Sequence, residues 1–162
     1  METKNPSISF IIPCKDEEDN IESVVKECKY FLPECSIIVC DNCCSDNTAE
    51  IAENSGAEVV YENRAGKGHA VRRLIKACKS DIVIMIDGDS TYDVSSIPDA
   101  IEKLIKEKYD VASGNRLTSN RGHTRFGHYI GNIAFNHFTS ILLGRPQYDL
   151  FSGLFIFRKE FL

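Results

Sequence analysis

Ile82-Val83-Ile84-Met85-Ile86-Asp87-Gly88-Asp89 is the stretch from which the rest of the chain is read. Its five apolar residues are mostly β-branched and carry no alternating polar positions, the pattern of a short strand buried on both faces. The run then stops abruptly in two carboxylates around a glycine. Two other stretches have the same design. Ile8-Ser9-Phe10-Ile11-Ile12 ends in Pro13-Cys14-Lys15-Asp16-Glu17, and Ser36-Ile37-Ile38-Val39-Cys40 ends in Asp41-Asn42. Glu58–Tyr61 and Asp110–Ser113 are weaker strand candidates.

Helical spacing fills the intervals. Ile21, Val24, Val25 and Cys28 share one face of a first helix. Ala49, Ile51 and Ala52 open a second, ended by Asn54-Ser55-Gly56. Val71, Leu74, Ile75 and Cys78 mark a third. Ile97, Ile101, Leu104 and Ile105 mark a fourth, with Ser96 placed to cap it and Pro98 in its first turn. Strands alternating with helices of this length predict an α/β fold, a mostly parallel sheet with helices on both faces. Beyond residue 117 the order changes. Thr118–Thr124 reads as a polar loop, and Ile130, Ile133, Ala134, His137, Phe138, Ile141 and Leu142 recur at helical spacing up to Gly144. Leu154–Phe157 reads as a strand, with Arg158-Lys159-Glu160 opening a helix.

At 162 residues, with 43% apolar and 27% charged, the chain has one domain's length and enough apolar content for a core. Nineteen basic against twenty-four acidic side chains give a net charge of −5. That argues against a nucleic-acid partner held by a broad basic face. No apolar stretch approaches the roughly 18 residues of a membrane span. The run Ile8–Pro13 lacks a signal peptide's core and cleavage site. Without such a signal, the seven cysteines read as thiols in a reducing cytoplasm. Cys40-Asp41-Asn42-Cys43 has a zinc-like or redox-like spacing, but no second ligand pair follows it.

In an open α/β sheet, ligands bind beyond the carboxyl ends of the strands. If the strands run parallel, Pro13–Glu17, Asp41-Asn42 and Asp87-Gly88-Asp89 converge on one rim. Two carboxylates at a strand end suit a hard divalent cation, Mg²⁺ or Mn²⁺, that also bridges phosphates. Gly66-Lys67-Gly68 enters the third helix, where N–H groups with Lys67, Arg72 and Arg73 can hold an anion. It lacks the spacing of a phosphate-binding P-loop or a dinucleotide fingerprint, and an ordinary solvated turn is the competing reading. Arg116, Arg121 and Arg125, with His123 and His128, form a basic cluster that could close over a diphosphate or meet a phosphorylated acceptor. A charged surface loop is the plainer alternative there. His69 and His137 read as packing or surface residues.

Phe10-Ile11-Ile12-Pro13-Cys14-Lys15-Asp16-Glu17, Val39-Cys40-Asp41-Asn42-Cys43-Cys44-Ser45-Asp46-Asn47-Thr48, Gly66-Lys67-Gly68 and Ile86-Asp87-Gly88-Asp89 follow one another in the order of the motifs of family 2 glycosyltransferases. Together they resemble that family's GT-A fold over essentially the whole chain. Gly114-Asn115-Arg116 and Asp149-Leu150-Phe151-Ser152-Gly153-Leu154-Phe155-Ile156-Phe157-Arg158 are most similar to the polyprenyl-phosphate (dolichol-phosphate) mannosyl- or glucosyltransferase type. The resemblance implies a single catalytic domain over residues 1–162. It also implies that Pro13, Lys15 and Glu17 line a nucleotide pocket, with Cys40 and Asn42 beside the base and ribose. Asp87, Gly88 and Asp89 would hold the metal and sugar diphosphate, Thr91 would lie near the sugar, and Arg116 and Arg125 would contact phosphates. The chain departs from the family where Asn42 replaces a frequent second Asp, Lys15 a common aromatic residue, and Cys43-Cys44 a common Gly-Ser pair. The membrane segments that follow the catalytic domain in many relatives have no counterpart here, which leaves room for a truncated C-terminus.

The implied reaction moves a sugar, with inversion, from a UDP- or GDP-sugar to an acceptor such as a polyprenyl phosphate or cell-envelope glycan precursor. A cation held by Asp89 and assisted by Asp87, together with Arg116 and Arg125, would offset charge on the leaving diphosphate, and Asp149 is the candidate base for a hydroxyl acceptor. A lipid-phosphate acceptor would put the protein in the cytoplasm at the membrane's cytoplasmic face. Two rivals stand beside this reading. Ile84–Thr91 resembles the hhhDxDxT motif of haloacid-dehalogenase-like phosphatases, with Asp87 as nucleophile and Asp89 as acid/base. That family puts the motif on its first strand and needs a later acidic pair. The other rival is a non-catalytic nucleotide-sugar binding module.

Overall fold

The computed structural model describes residues 5–114 and 152–162. Arg116, Arg121, His123, Arg125, His128 and Asp149 lie outside the described residues, as do the Thr118–Thr124 loop and the helical spacing from Ile130 to Leu142. Among the described residues, six strands and four helices run in the order β1 (Ile8–Cys14), α1 (Ile21–Phe31), β2 (Ser36–Asp41), α2 (Thr48–Asn54), β3 (Glu58–Tyr61), α3 (Lys67–Ala77), β4 (Ile82–Met85), α4 (Ile97–Lys106), β5 (Val111–Ser113) and β6 (Phe155–Arg158). They form one sheet in the order β3-β2-β1-β4-β6-β5. β1 pairs parallel with β2 and with β4, and β2 pairs parallel with β3. β6 runs against both β4 and β5, so the sheet is mostly parallel with one reversed strand.

The apolar runs become strands because the sheet is covered on both sides. Phe10, Ile12, Ile37, Val39, Ile82 and Ile84 pack with α1 and α4, while Ile11, Ile38, Cys40, Val60 and Val83 pack with α3. Alternate residues of β1, β2 and β4 thus enter opposite cores, which is why these strands carry no polar face. Each fully buried Ile or Leu contributes about 1.5–3 kcal/mol of transfer free energy.

The helices bury the faces expected of them, with local differences. α1 buries Ile21, Val24, Val25 and Cys28, and α4 buries Ile97, Ile101 and Leu104. Ile105 falls off that face and is 40% exposed. Ser96 does not cap α4 through its side chain. Asp93 instead starts a 3-10 turn, Val94–Ser96, that leads into the helix, accepting from Ser95 N at 3.1 Å. An Asp carboxylate is the stronger acceptor for such orphan N–H groups.

The helix expected at Arg158–Glu160 is a single 3-10 turn, Lys159–Phe161, because Arg158 stays in β6 opposite Ile82. Arg158 donates to the carbonyls of Leu104 and Tyr109 at the end of α4, and Lys159 Nζ to Ile75 O near the end of α3. Both cations therefore sit at the negative ends of helices.

Candidate functional site

The chain order moves outward from β1 to β2 and β3, then returns to β4 on the other side of β1. The switch between those directions opens a crevice beyond the carboxyl ends of β1 and β4, the place where open α/β sheets bind ligands. A cleft of about 240 Å³ lies there, lined by Pro13, Cys14, Lys15, Glu17, Asn42, Lys67, Ala70, Asp87, Gly88 and Asp89. Strand ends from β1, β2 and β4 and the first turn of α3 thus meet at one rim.

The loops forming the rim are tied to one another. Glu17 N donates to the buried Thr48 hydroxyl at 2.8 Å, and Ser45 N donates to the Asp16 carboxylate at 2.6 Å. Lys15 pairs with Asp16 at 3.0 Å and donates to Cys43 O. Asp16, Cys43 and Ser90 all have positive φ, of 56°, 63° and 58°. Non-glycine residues held in this left-handed region cost of order 1–3 kcal/mol each and persist only where their surroundings over-determine them.

Asp87 leaves the end of β4, and Lys67 Nζ lies 2.5 Å from its Oδ1. Asp89 turns back on itself: its Oδ1 accepts from Thr91 N at 3.1 Å and Thr91 Oγ1 at 2.7 Å. Thr91 is therefore a support for Asp89 and is not among the residues lining the cleft. Gly88 is required by space. A Cβ there would stand 2.8 Å from Cys14 Sγ and 3.4 Å from Glu17 Cγ. Burial pushes the Glu17 carboxyl above its ordinary value; Asn20's hydrogen bond opposes this, and Asp89 and Asp87 add to it. Three carboxylates therefore share one partly covered cleft.

Asn42 lies at the cleft, and its amide is engaged by the backbone. It is buried, with Nδ2 donating to Glu62 O at 3.0 Å and Arg64 O at 2.8 Å, and Oδ1 accepting from Gly66 N at 2.7 Å. All three bonds go to the backbone between β3 and α3. The expectation for Cys40 is corrected. Its side chain is fully buried in the core against α3 and does not line the cleft.

Cys40 and Cys43 form no ligand pair, since Cys43 is exposed and points its thiol to the carbonyls of Glu62 and Asn63. All seven cysteines are free thiols. Burial drives Cys14 well above the usual thiol range, so the sulfur under Gly88 is an inert packing group. Arg72 and Arg73 do not line the cleft; of the α3 cations only Lys67 does.

Residue reasoning left Gly153 and Tyr92 unassigned. Gly153 is buried against Asp87, and a Cβ there would fall 2.6 Å from the Asp87 carboxylate carbon and closer to Oδ2. Gly153 N donates to the Tyr92 hydroxyl. The segment Ser152–Leu154 is thereby fastened behind the acidic pair. The mark this contact leaves in the sequence is the Ser152-Gly153-Leu154 tripeptide.

The profile of the family described as "Glycosyl transferase family 2" matches residues 9–162. The chain belongs to this family. Among curated relatives, RfbJ of Shigella flexneri is 42% identical over 123 residues, which cover 75% of this chain and 95% of that protein. The dolichyl-phosphate hexose transferase of Haloferax volcanii is 31% identical, covering 96% of this chain and 68% of that one. Glucosyl-3-phosphoglycerate synthase from Mycobacterium tuberculosis, in a complex with Mn²⁺, UDP-glucose and phosphoglyceric acid, matches with a TM-score of 0.75 and 26% identity. That match covers 98% of this chain and 58% of the solved one. The same enzyme bound to phosphoglyceric acid alone gives a TM-score of 0.77 at 25% identity, with 98% and 59% covered. The chain thus spans a little under three fifths of these solved relatives. A family 2 glycosyltransferase fold accounts for the motif order, and the phosphatase reading is set aside: its motif belongs on a first strand, whereas Asp87 here follows β4.

Proposed function

We propose that the cleft at β1 and β4 binds the diphosphate of a UDP- or GDP-sugar with a divalent cation, Mg²⁺ or Mn²⁺, and that the protein transfers the sugar with inversion. The observation that carries this reading is the meeting of Asp87, Asp89 and Glu17 with Lys67 in one crevice at the switch point of the sheet. The donor set fits a hard cation. Its oxygens are carboxylates, and Gly153 lets the backbone approach Asp87 where a Cβ would collide with the carboxylate. Asp87 and Asp89 would hold the ion, which when bound supplies Lewis-acid neutralisation of charge on the diphosphate.

The chain's own residues do the remainder. Pro13, Lys15 and Glu17 form the β1 side of the pocket, and Lys67 adds positive charge at the first turn of α3. In the transfer, an acceptor oxygen attacks the anomeric carbon, and the sugar–diphosphate bond breaks with its electron pair leaving on the diphosphate. An acceptor phosphate is already ionised at neutral pH and needs no base, only cations to place it. Arg116 and Arg125 take that role in the proposal, and Asp149 takes the base role if the acceptor is a hydroxyl.

A polyprenyl phosphate is the favoured acceptor, supported by the dolichyl-phosphate hexose transferase relative. It places the protein at the cytoplasmic face of a membrane as a single catalytic domain. Among the described residues, no helix is long and apolar enough to cross a membrane. A thermal-shift screen of UDP-, GDP- and dTDP-sugars with and without Mn²⁺, followed by transfer assays to a short polyprenyl phosphate, tests the reading. Stabilisation by one nucleotide sugar only when Mn²⁺ is present, with sugar appearing on the lipid, is expected. Binding without transfer or donor hydrolysis would favour a binding module.

A further inference from the structure

We infer that Lys67 is a resident counter-ion for Asp87, so that its ammonium group and the divalent cation compete for one carboxylate. This rests on the proposed metal–diphosphate reading and deepens it. Three observations carry it. Asp87 Oδ1 is held by Lys67 Nζ at 2.5 Å, and Oδ2 is packed against Gly153. Asp87 is thus partly covered, its side chain 22% exposed. Asp89 gives only Oδ1 to Thr91, and among the described residues its Oδ2 makes no hydrogen bond. Among the described residues, the other cation lining the cleft, Lys15, is paired with Asp16 at 3.0 Å. Lys67 is thus the ammonium group that offsets the acidic pair directly.

The pair is also built to open. The Lys67 side chain is 54% exposed, while its backbone turn is pinned by the bond from Gly66 N to Asn42. The ammonium can leave Asp87 without α3 moving. Once released, it stands in the same cleft as an incoming diphosphate, to which it can donate charge-assisted hydrogen bonds. Loss of Lys67 from Asp87 on diphosphate binding and exposure of Asp87 to the cation are then two sides of one linkage, and each ligand favours the other.

The test measures Mn²⁺ binding without nucleotide, by the electron paramagnetic resonance signal of free Mn²⁺, in the wild-type chain and in Lys67→Met, Lys67→Arg and Lys15→Met. A partly exposed ion pair shifts such an equilibrium by up to about fivefold. Lys67→Met is expected to bind Mn²⁺ tighter by about that factor and metal-free UDP weaker. Lys67→Arg should stay near wild type, and Lys15→Met should change Mn²⁺ affinity by less than about twofold. No gain in Mn²⁺ affinity for Lys67→Met, including no binding by either protein, overturns the inference. An equal gain in Lys15→Met also overturns it, since the effect would then be general charge. Wild-type binding of UDP with Mn²⁺ tests the proposed function separately, so the two failures are distinguishable.

Discussion

Glu17 bears much of the electrostatic strain in the cleft, because it is partly buried and faces Asp89 and Asp87. Its folded-state pKa lies above the ordinary 4.5, so the native protein holds this proton more tightly than the unfolded chain does. The protonated form therefore stabilises the fold at acid pH, and that contribution is lost as pH rises through the raised value. Glu17→Gln should raise the melting temperature at pH 7, with the gain over wild type shrinking as pH falls below the ordinary Glu range. An equal gain at both pH values would refute the assignment. Gly153 makes the opposite kind of demand, one of space. Gly153→Ala drives a methyl group into the Asp87 carboxylate, and overpacking of this kind costs about 1–3 kcal/mol. Urea unfolding should show that loss together with at least about tenfold weaker Mn²⁺-dependent UDP binding. Unchanged binding would mean Asp87 is free to move aside.

Among the elements, the link between β2 and the β3–α3 turn is where sequence and structure diverge most instructively. The strands were legible because burial on both faces leaves unbroken apolar runs, and α1 because Ile21, Val24, Val25 and Cys28 repeat at helical spacing. The role of Asn42 was not legible. Its partners are the backbone atoms of Glu62, Arg64 and Gly66, some twenty residues away, and backbone atoms leave no mark in a sequence. Cys40 lies away from the cleft for a related reason. Neighbouring positions of β2 enter opposite cores, and the parity that sends Cys40 toward α3 is set by the register with β1. The reversal of β6 was likewise hidden, since an apolar run carries no direction. Asn42 also explains its own departure from the family's frequent Asp: a carboxylate cannot donate to the two carbonyls that Nδ2 satisfies. Asn42→Asp should therefore destabilise the fold by about 2–4 kcal/mol in urea unfolding, through two lost bonds and a buried charge facing carbonyl oxygens. Stability within about 0.5 kcal/mol of wild type would show that the turn is held elsewhere.

The whole molecule brings its chemistry together by topology, since β1 and β4 are far apart in the chain yet adjacent in the sheet, and their loops face each other only there. Motif order made this convergence predictable, and the family 2 match over residues 9–162 agrees with it. The acidic pair then has one central use in this account, metal-dependent binding of a nucleoside diphosphate. Calorimetric titration of UDP and GDP, each with and without Mn²⁺, into wild type and Asp89→Asn tests it most directly. The Asn variant can still accept from Thr91 through Oδ1, so the fold should melt as wild type does. The account predicts Mn²⁺-dependent binding of one of the two nucleotides by the wild-type chain and a loss of at least about a hundredfold in the variant, the scale of an ion that has lost a charged ligand. Equal affinity in the two proteins, with or without Mn²⁺, would contradict it.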